Sequence, residues 1–300
     1  MTTQASAARI PDERLSLLSK IDRALEAVDR LVPLDDERYH KTHEAFEARS
    51  NQRERILAWL SEHSSKVATR TGDLRVLSIG CGDGSVDLPT ARTLGDKADH
   101  VHFAALDPNK AQLRQLEKVF AGAALSNVTL TTHAMQLGDF DATERFDQIH
   151  CVHSFYYMPD PATALKQAIE MLTDDGELLL FHAPCEDLNS LSARFYNKYY
   201  ERTTPFAEDF ASMLDETGHS FRRERIDARI DVTSHFDSSS THGHELRDFI
   251  LQFESSNLPS AVVDPVERYM RVIAEGNSSA ASIAHPLDVF VIRRRTTGTH

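Results

Sequence analysis

The stretch Leu74-Arg-Val-Leu-Ser-Ile-Gly-Cys-Gly-Asp-Gly-Ser85 constrains this chain more than any other segment. Val76, Leu77 and Ile79 make a short apolar run that reads as a buried strand, and it ends in Gly80, Gly82 and Gly84 before a helical pattern begins. Glycines at such a point let the backbone turn sharply and approach a ligand with no side chain in the way. Strand, glycine turn and helix in that order suit a nucleoside-bearing ligand, held at the C-terminal ends of strands in an open, mostly parallel sheet.

The spacing is G-x-G-x-G, not the G-x-G-x-x-G that sets a pyrophosphate on a helix N-terminus, and Asp83 and Asp87 nearby would repel phosphate groups. A cofactor without phosphate and with positive charge fits better, which points to the sulfonium S-adenosylmethionine. Val101-His-Phe-Ala-Ala-Leu-Asp107 reads as a second strand whose carboxylate, at the C-terminal end, can accept both ribose hydroxyls. A lone Asp107 before Pro108-Asn109 would read as a helix cap; paired with the glycine loop one strand earlier, the ribose role is favoured.

The 300 residues, 41% of them hydrophobic, suffice for a large core. With 33 Lys and Arg against 46 Asp and Glu the net charge is −13, so nucleic acid and anionic membrane are not expected as partners, and a small-molecule substrate is. Cys81, Cys151 and Cys185 form no C-x-x-C pair and read as reduced, buried thiols. Met1 to Arg9 is polar and no apolar run approaches the ~20 residues of a membrane span, so a cytoplasmic location is the expectation. Nothing in the composition bears on oligomeric state.

Pro11-Asp12-Glu13 opens a predicted amphipathic helix that ends before Pro33, and Asp35-Asp36 opens a second one running through Tyr39, Phe46, Ile56, Leu57 and Leu60. Strands are predicted at Leu74 to Gly80, Val101 to Leu106, Val128 to Thr132, Phe146 to Val152 and Glu177 to His182, with helices beginning near Ser85, Pro108 and Pro161. Gly80, Asp107, Met135 and Val152 then fall at strand C-terminal ends. Beyond Pro184 the pattern predicts helices over Leu188 to Tyr200, Phe206 to Thr217 and His244 to Ser255, a strand over Phe221 to Val232, and turn-rich loops at Ser238 to Gly243 and Asn277 to Ala281.

These residues resemble the class I S-adenosylmethionine-dependent methyltransferases, and within them the histamine N-methyltransferases. The resemblance rests on Leu-Ser-Ile-Gly-Cys-Gly-Asp-Gly-Ser with Asp87-Leu88 following, Leu106-Asp107-Pro108, Phe146-Asp-Gln-Ile-His150 leading to Phe155-Tyr156-Tyr157, Ile230-Asp231-Val232 with Leu246-Arg-Asp-Phe249, and the final strand Leu287 to Arg293. It implies an α/β, Rossmann-like class I methyltransferase sheet: an N-terminal helical lid over 1–70, a cofactor-binding core over 71–185, and a substrate-covering region over 186–300 that returns to the sheet with the last strand. It also implies that Gly80, with Gly82 and Gly84, lies against the methionine part of the cofactor. Asp107 and Pro108 form the ribose site with Gln112 close by, Met135 and Gln136 flank the adenine, and Val152 belongs to the pocket wall.

For the acceptor the resemblance implies an aromatic pocket to which Tyr39, Tyr156, Tyr157 and Phe249 correspond. Aromatic faces stabilise cations by about 0.5–2 kcal/mol each, which suits a transfer that moves positive charge onto an amine. Consecutive Tyr156 and Tyr157 cannot both point the same way in an extended segment, so one of them is expected to be structural. The family's gripping polar residues are changed: its glutamate falls at Gln52, its glutamine at His153 and its asparagine at His285. Loss of the carboxylate counts against histamine itself and favours an imidazole, indole or other heteroaromatic amine, or an amino-acid-derived metabolite. Direct in-line displacement needs a base only for a protonated or carbon acceptor, and His153 is then the candidate. A nicotinamide-dependent oxidoreductase and a non-catalytic cofactor-binding protein are the alternatives. No metal site is expected, since His40 with His43 and His242 with His244 lack further convergent ligands and read as solvated surface histidines.

Overall fold

A computed structural model of the chain describes residues 12–68, 72–141, 143–237, 240–277 and 279–294. Its α-helices and β-strands run α1 (Asp12–Glu26), α2 (Asp36–Glu47), α3 (Gln52–Ala68), β1 (Asp73–Ile79), α4 (Asp87–Gly95), β2 (His100–Leu106), α5 (Lys110–Ala123), β3 (Val128–His133), β4 (Phe146–Val152), α6 (Pro161–Glu170) and β5 (Leu172–His182). They continue with α7 (Asp187–Tyr200), α8 (Ala207–Thr217), β6 (Phe221–Ile226), β7 (Arg229–Asp231), α9 (Thr241–Leu251), α10 (Ser260–Ile273), β8 (Glu275–Asn277), β9 (Ala280–Ala284) and β10 (Leu287–Arg293). The chain forms two compact units: a sheet unit of Gln52–Pro184, Pro205–Asp227 and the described residues from Pro286 onward, and a helical unit of the described residues up to Asn51 with Cys185–Thr204 and Ala228–His285. No helix among the described residues is long and apolar enough to cross a membrane.

The sheet unit is built on seven strands in the order β3-β2-β1-β4-β5-β10-β6. The first five are parallel to their neighbours, and β10 runs antiparallel to both β5 and β6. Central strands buried on both faces need unbroken apolar runs, which explains Leu-Leu-Leu-Phe in β5 and Val-Phe-Val-Ile in β10. Alternation sorts them: Leu178, Leu180, Phe290 and Ile292 join one core cluster, while Leu179, Phe181, Val289 and Val291 join another that includes Ile56 and Leu60 of α3. Two polar ties hold α3 to the sheet, from His63 Nε2 to Glu177 Oε2 (2.8 Å) and from Trp59 Nε1 to Glu224 Oε2 (2.9 Å). Asn109 and Asp160 cap α5 and α6 by accepting backbone N–H bonds, with Pro161 in the first turn of α6, where its missing donor is harmless.

In the helical unit, Leu17, Leu18, Ile21 and Leu25 of α1 share a core with Val262, Val266, Tyr269 and Met270 of α10 and with Leu246 and Ile250 of α9. A small sheet, β7-β9-β8, completes this unit.

Several predicted elements are redrawn. The long second helix is two helices, because residues 49–51 are extended against β7: Asp231 N donates to Arg49 O (3.0 Å), Asn51 N to Arg229 O (3.1 Å), and Arg229 N to the Asn51 side chain (2.8 Å). The predicted strand over Phe221 to Val232 is likewise two, since β6 belongs to the large sheet and β7 to the small one. α10 has no counterpart in the sequence pattern; Pro259 and Pro265 interrupt its apolar stripe, and burial of five side chains offsets the hydrogen bond that Pro265 cannot make. Cys81 and Cys151 are buried as expected, whereas Cys185 is exposed. Pro11 and part of each turn-rich loop lie outside the described residues.

Phe290 is fully buried on β10. Phe290→Ala is expected to lower unfolding free energy by about 3–5 kcal/mol in a denaturant titration, the range for emptying a buried aromatic site.

Candidate functional site

The strand order reverses at β1, which has β2 on one side and β4 on the other, and ligands of open α/β sheets bind beyond the strand ends at such a point. Gly80, Gly82 and Gly84 follow β1 with φ of +73°, +56° and +83°, the left-handed region that side-chain-bearing residues avoid. Gly80 N donates to Leu106 O (2.7 Å), and Gly82 N to Asp107 Oδ2 (3.0 Å), so the end of β2 pins the turn. Asp107 Oδ1 also accepts from Asn109 N (2.8 Å), and lone pairs on both oxygens remain for hydroxyl donors. A Cβ on Gly80 would lie 2.4 Å from Ser154 Cβ, whereas one on Gly82 would meet open space. The buried Ser154 Oγ has no hydrogen-bond partner among the described residues. A turn left open at Gly82, an orphaned hydroxyl beside Gly80 and a carboxylate at the end of β2 fit an adenosine bearing a polar, phosphate-free tail.

Gln112 is half-buried on the first turn of α5 and Pro108 is exposed just before it. Met135 packs against the sheet core, Gln136 is exposed at the start of a short 3-10 turn, and Val152 ends β4 against the cluster that contains Phe181. Asp87 is buried, and its carboxylate meets His150 Nε2 of β4 at 2.9 Å while its charge still acts on Cys81 within the glycine turn. The Asp83 carboxylate folds back onto Ser85 N (3.0 Å).

The polar candidates of the sheet unit form one connected chain. His153, directly after β4, adopts φ +52° and sets its Nε2 2.8 Å from Gln52 Oε1 at the start of α3. Tyr156 OH accepts from Ala183 N (2.9 Å) and lies 3.5 Å from His153 Nδ1. The Tyr156 ring stacks on His182 at 4.0 Å between centroids, and His182 Nε2 contacts Pro205 O at 2.9 Å. Burial, reinforced by the charge of Arg53, lowers the His153 imidazole to about 4. Burial lowers His182 to about 3, against the hydrogen bond to Pro205, and pushes the Tyr156 phenol up. All three side chains are therefore neutral at pH 7. The double tyrosine lies in a 3-10 turn (Phe155–Tyr157), which sends Tyr157 outward, 63% exposed, while Tyr156 faces inward.

In the helical unit, Tyr39, Phe46 and Phe249 cluster with ring centroids 5.7 Å (Tyr39–Phe249) and 4.7 Å (Phe46–Phe249) apart. His285 joins edge-on to Phe46 at 5.3 Å, with Nδ1 3.4 Å from Ser50 Oγ. His43 stacks on Tyr39 and packs against Phe249 at 5.2 Å, so it is not a purely solvated histidine. His242 pairs with Glu245 at 3.0 Å and His244 contacts Arg247, both on α9 and not in a loop. Among the described residues no group of three His, Cys, Asp or Glu side chains is placed to hold a metal ion. Ser154 and His182 are the site neighbours to which the residue patterns assigned no role. For His182 a signal existed, a polar residue closing an otherwise apolar buried strand.

A family model described as a methyltransferase domain matches residues 24–227. Histamine N-methyltransferase A of Xenopus laevis is 24% identical over 240 residues, 73% of this chain and 80% of the relative. The histamine N-methyltransferase of Danio rerio is 24% identical over 257 residues, 79% of this chain and 88% of the relative. The solved plantazolicin methyltransferase in complex with SAH superposes with a TM-score of 0.52 at 13% identity, covering 95% of this chain and 98% of that one. The YcgJ protein from Bacillus subtilis gives 0.52 at 14% identity over 78% of this chain and all of its own. The fold is thus that of a class I methyltransferase. The chain belongs to the methyltransferase-domain family, a match that favours neither the oxidoreductase nor the non-catalytic alternative.

Two outcomes follow from this geometry. Gly82→Ala should cost about 1–2 kcal/mol of stability through its left-handed backbone alone, and Gly80→Ala should cost more because its Cβ also strikes Ser154, an excess that Ser154→Gly should relieve in a double-mutant cycle. Because His153 is lowered from 6.5 to about 4 in the folded chain, the unfolded chain binds the extra proton between those values, and stability falls as pH drops through that window. The slope from one such site is at most about 1.4 kcal/mol per pH unit, and His153→Gln should remove it from denaturation curves taken between pH 6.5 and 4.

Proposed function

We propose that this methyltransferase acts on a small heteroaromatic acceptor, an imidazole- or indole-like amine or amino-acid-derived metabolite, by direct in-line displacement. S-adenosylmethionine is the cofactor and supplies the electrophilic methyl group. Gly80, Gly82 and Gly84 give its methionine part close access to backbone, Asp107 and Pro108 receive the ribose beside Gln112, Met135 and Gln136 flank the adenine, and Val152 lines the wall.

The observation that carries the acceptor class is the Gln52–His153–Tyr156 chain, which adjoins the glycine turn through Ser154 and contains no charged group at neutral pH. A primary ammonium finds no carboxylate within that chain, whereas a planar, uncharged heteroaromatic ring finds hydrogen-bonding partners and an aromatic face. Relatives named histamine N-methyltransferases support an amine acceptor, and the changes at Gln52, His153 and His285 support one other than histamine. We assign Tyr157, which is 63% exposed, to the acceptor's periphery. Orientation of the acceptor lone pair is the main catalytic contribution, for which well-aligned reactions give on the order of 7–11 kcal/mol.

Incubation with radiolabelled cofactor and a panel of imidazole, indole and purely aliphatic amines tests the reading; label on imidazole or indole amines is expected, and label on aliphatic amines alone would refute it. His153→Ala should lower turnover by about 100-fold, the effect of losing alignment or proton transfer, while S-adenosylhomocysteine binding by calorimetry stays within a few fold.

A further inference from the structure

We infer that Asp87, held by His150, is a buried counter-charge to the sulfonium of the cofactor, a specificity-determining residue through which the chain binds S-adenosylmethionine more tightly than the neutral thioether left after transfer. This role rests on the placement of the cofactor's methionine part at the glycine turn, proposed above, and adds what reads its charge. Position carries it. Asp87 is the first residue of α4, three residues beyond Gly84, and the bond from Leu88 N to Gly84 O (3.0 Å) closes the helix onto the turn. Its carboxylate lies 2.9 Å from His150 Nε2, and His150 pairs across the sheet with Ser78, two residues before Gly80. The Asp87–His150 pair is therefore joined to the chain at both ends of the turn.

The hydrogen bonds assign the charge. His150 Nδ1 is buried and has no hydrogen-bond partner among the described residues. An imidazolium beside ionised Asp87, or a protonated Asp87 donating to Nε2, would each leave an N–H at Nδ1 with nothing to accept it. A neutral ring protonated at Nε2 donates to the carboxylate and leaves only a lone pair at Nδ1, the less costly orphan. The first turn of α4 further favours the anion through the helix dipole. One negative charge is thus retained, and because Asp87 and His150 are each 1% exposed, solvent screens it little. Burial pushes the Cys81 thiol up and the Asp87 charge pushes it further, so the field reaches the turn. Asp83 differs: its carboxylate is exposed and bonded to Ser85 N, where water weakens its reach.

Calorimetric titration of the full chain with S-adenosylmethionine and with S-adenosylhomocysteine reads the ratio of the two affinities, with no acceptor needed. Asp87→Asn keeps the shape and removes the charge. It is expected to lower that ratio by about 3- to 30-fold, the scale of one charge acting through protein, and Asp83→Asn is expected to change it less. A merely structural Asp87 would weaken both ligands alike, so an unchanged ratio, or a larger change in the Asp83 variant, overturns the inference. Should Asp87→Asn fail to fold, long-range 1H–15N spectra of wild type labelled at histidine nitrogens decide the matter: His150 is expected to be protonated at Nε2 alone at pH 7, and a proton on Nδ1 overturns the inference. A failure to methylate any heteroaromatic amine would instead strike the proposed acceptor and leave the affinity ratio standing.

Discussion

The left-handed turn after β1 is the constraint on which the site depends. Gly80 and Gly82 donate to the end of β2, through Leu106 O and the Asp107 carboxylate, which bends the chain across the strand ends instead of letting it continue upward. This course is open only to residues without a Cβ, and at Gly80 the reason is steric as well as conformational, because Ser154 occupies the space where a side chain would begin. The residues leaving β4 can therefore approach the turn closely. His153 in turn accepts a left-handed backbone, a strain of about 1–3 kcal/mol that surrounding structure must hold in place. The glycine turn and the residues leaving β4 thus meet at Gly80 and Ser154.

Holding His153 requires more than its own strand. Gln52 reaches it from the first turn of α3, and α3 is fixed by a buried apolar face and by the polar ties of His63 to Glu177 and Trp59 to Glu224. Tyr156 reaches it from the 3-10 turn and is backed by β5 through Ala183 N–H and the His182 ring. These are uncharged groups in a buried setting, where a hydrogen bond contributes about 0.5–1.5 kcal/mol and an orphaned partner costs about 1–3 kcal/mol. Removing one member thus weakens the geometry of the rest more than it weakens the fold.

Much of this was legible from residue patterns. An apolar run closed by glycine marked β1 and one closed by aspartate marked β2, and Gly80 with Asp107 marked the ligand end of the sheet. What escaped notice depends on partners remote in sequence. Asp87 reads locally as a charge beside a phosphate-repelling loop, and only the pairing of β1 with β4 brings His150 to it and buries both. The helix through Phe46 and Leu60 is interrupted because residues 49–51 give their backbone groups to β7, some 180 positions later. α10 hides behind two prolines, and its existence depends on a core contributed by α1 and α9. Periodicity reports which face of an element is apolar; it does not report which polar group meets which.

The neutrality of the Gln52–His153–Tyr156 chain bears on how a methyl group would be moved at the acceptor site proposed above. Transfer to an uncharged nitrogen shifts one positive charge by a bond length or two and leaves the total unchanged, so a fixed carboxylate near the acceptor would help the product state but would also bind ammonium competitors. Aromatic faces and oriented neutral dipoles follow the charge with less bias toward cations that arrive already charged. Gln52, His153 and Tyr156 are such dipoles, and the lowered proton affinity of His153 keeps the imidazole from adding a second positive charge where one is developing. A site built this way gains selectivity for a nitrogen that is neutral on arrival, because an ammonium would have neither a free lone pair for the displacement nor a counter-charge in that chain to replace its lost water.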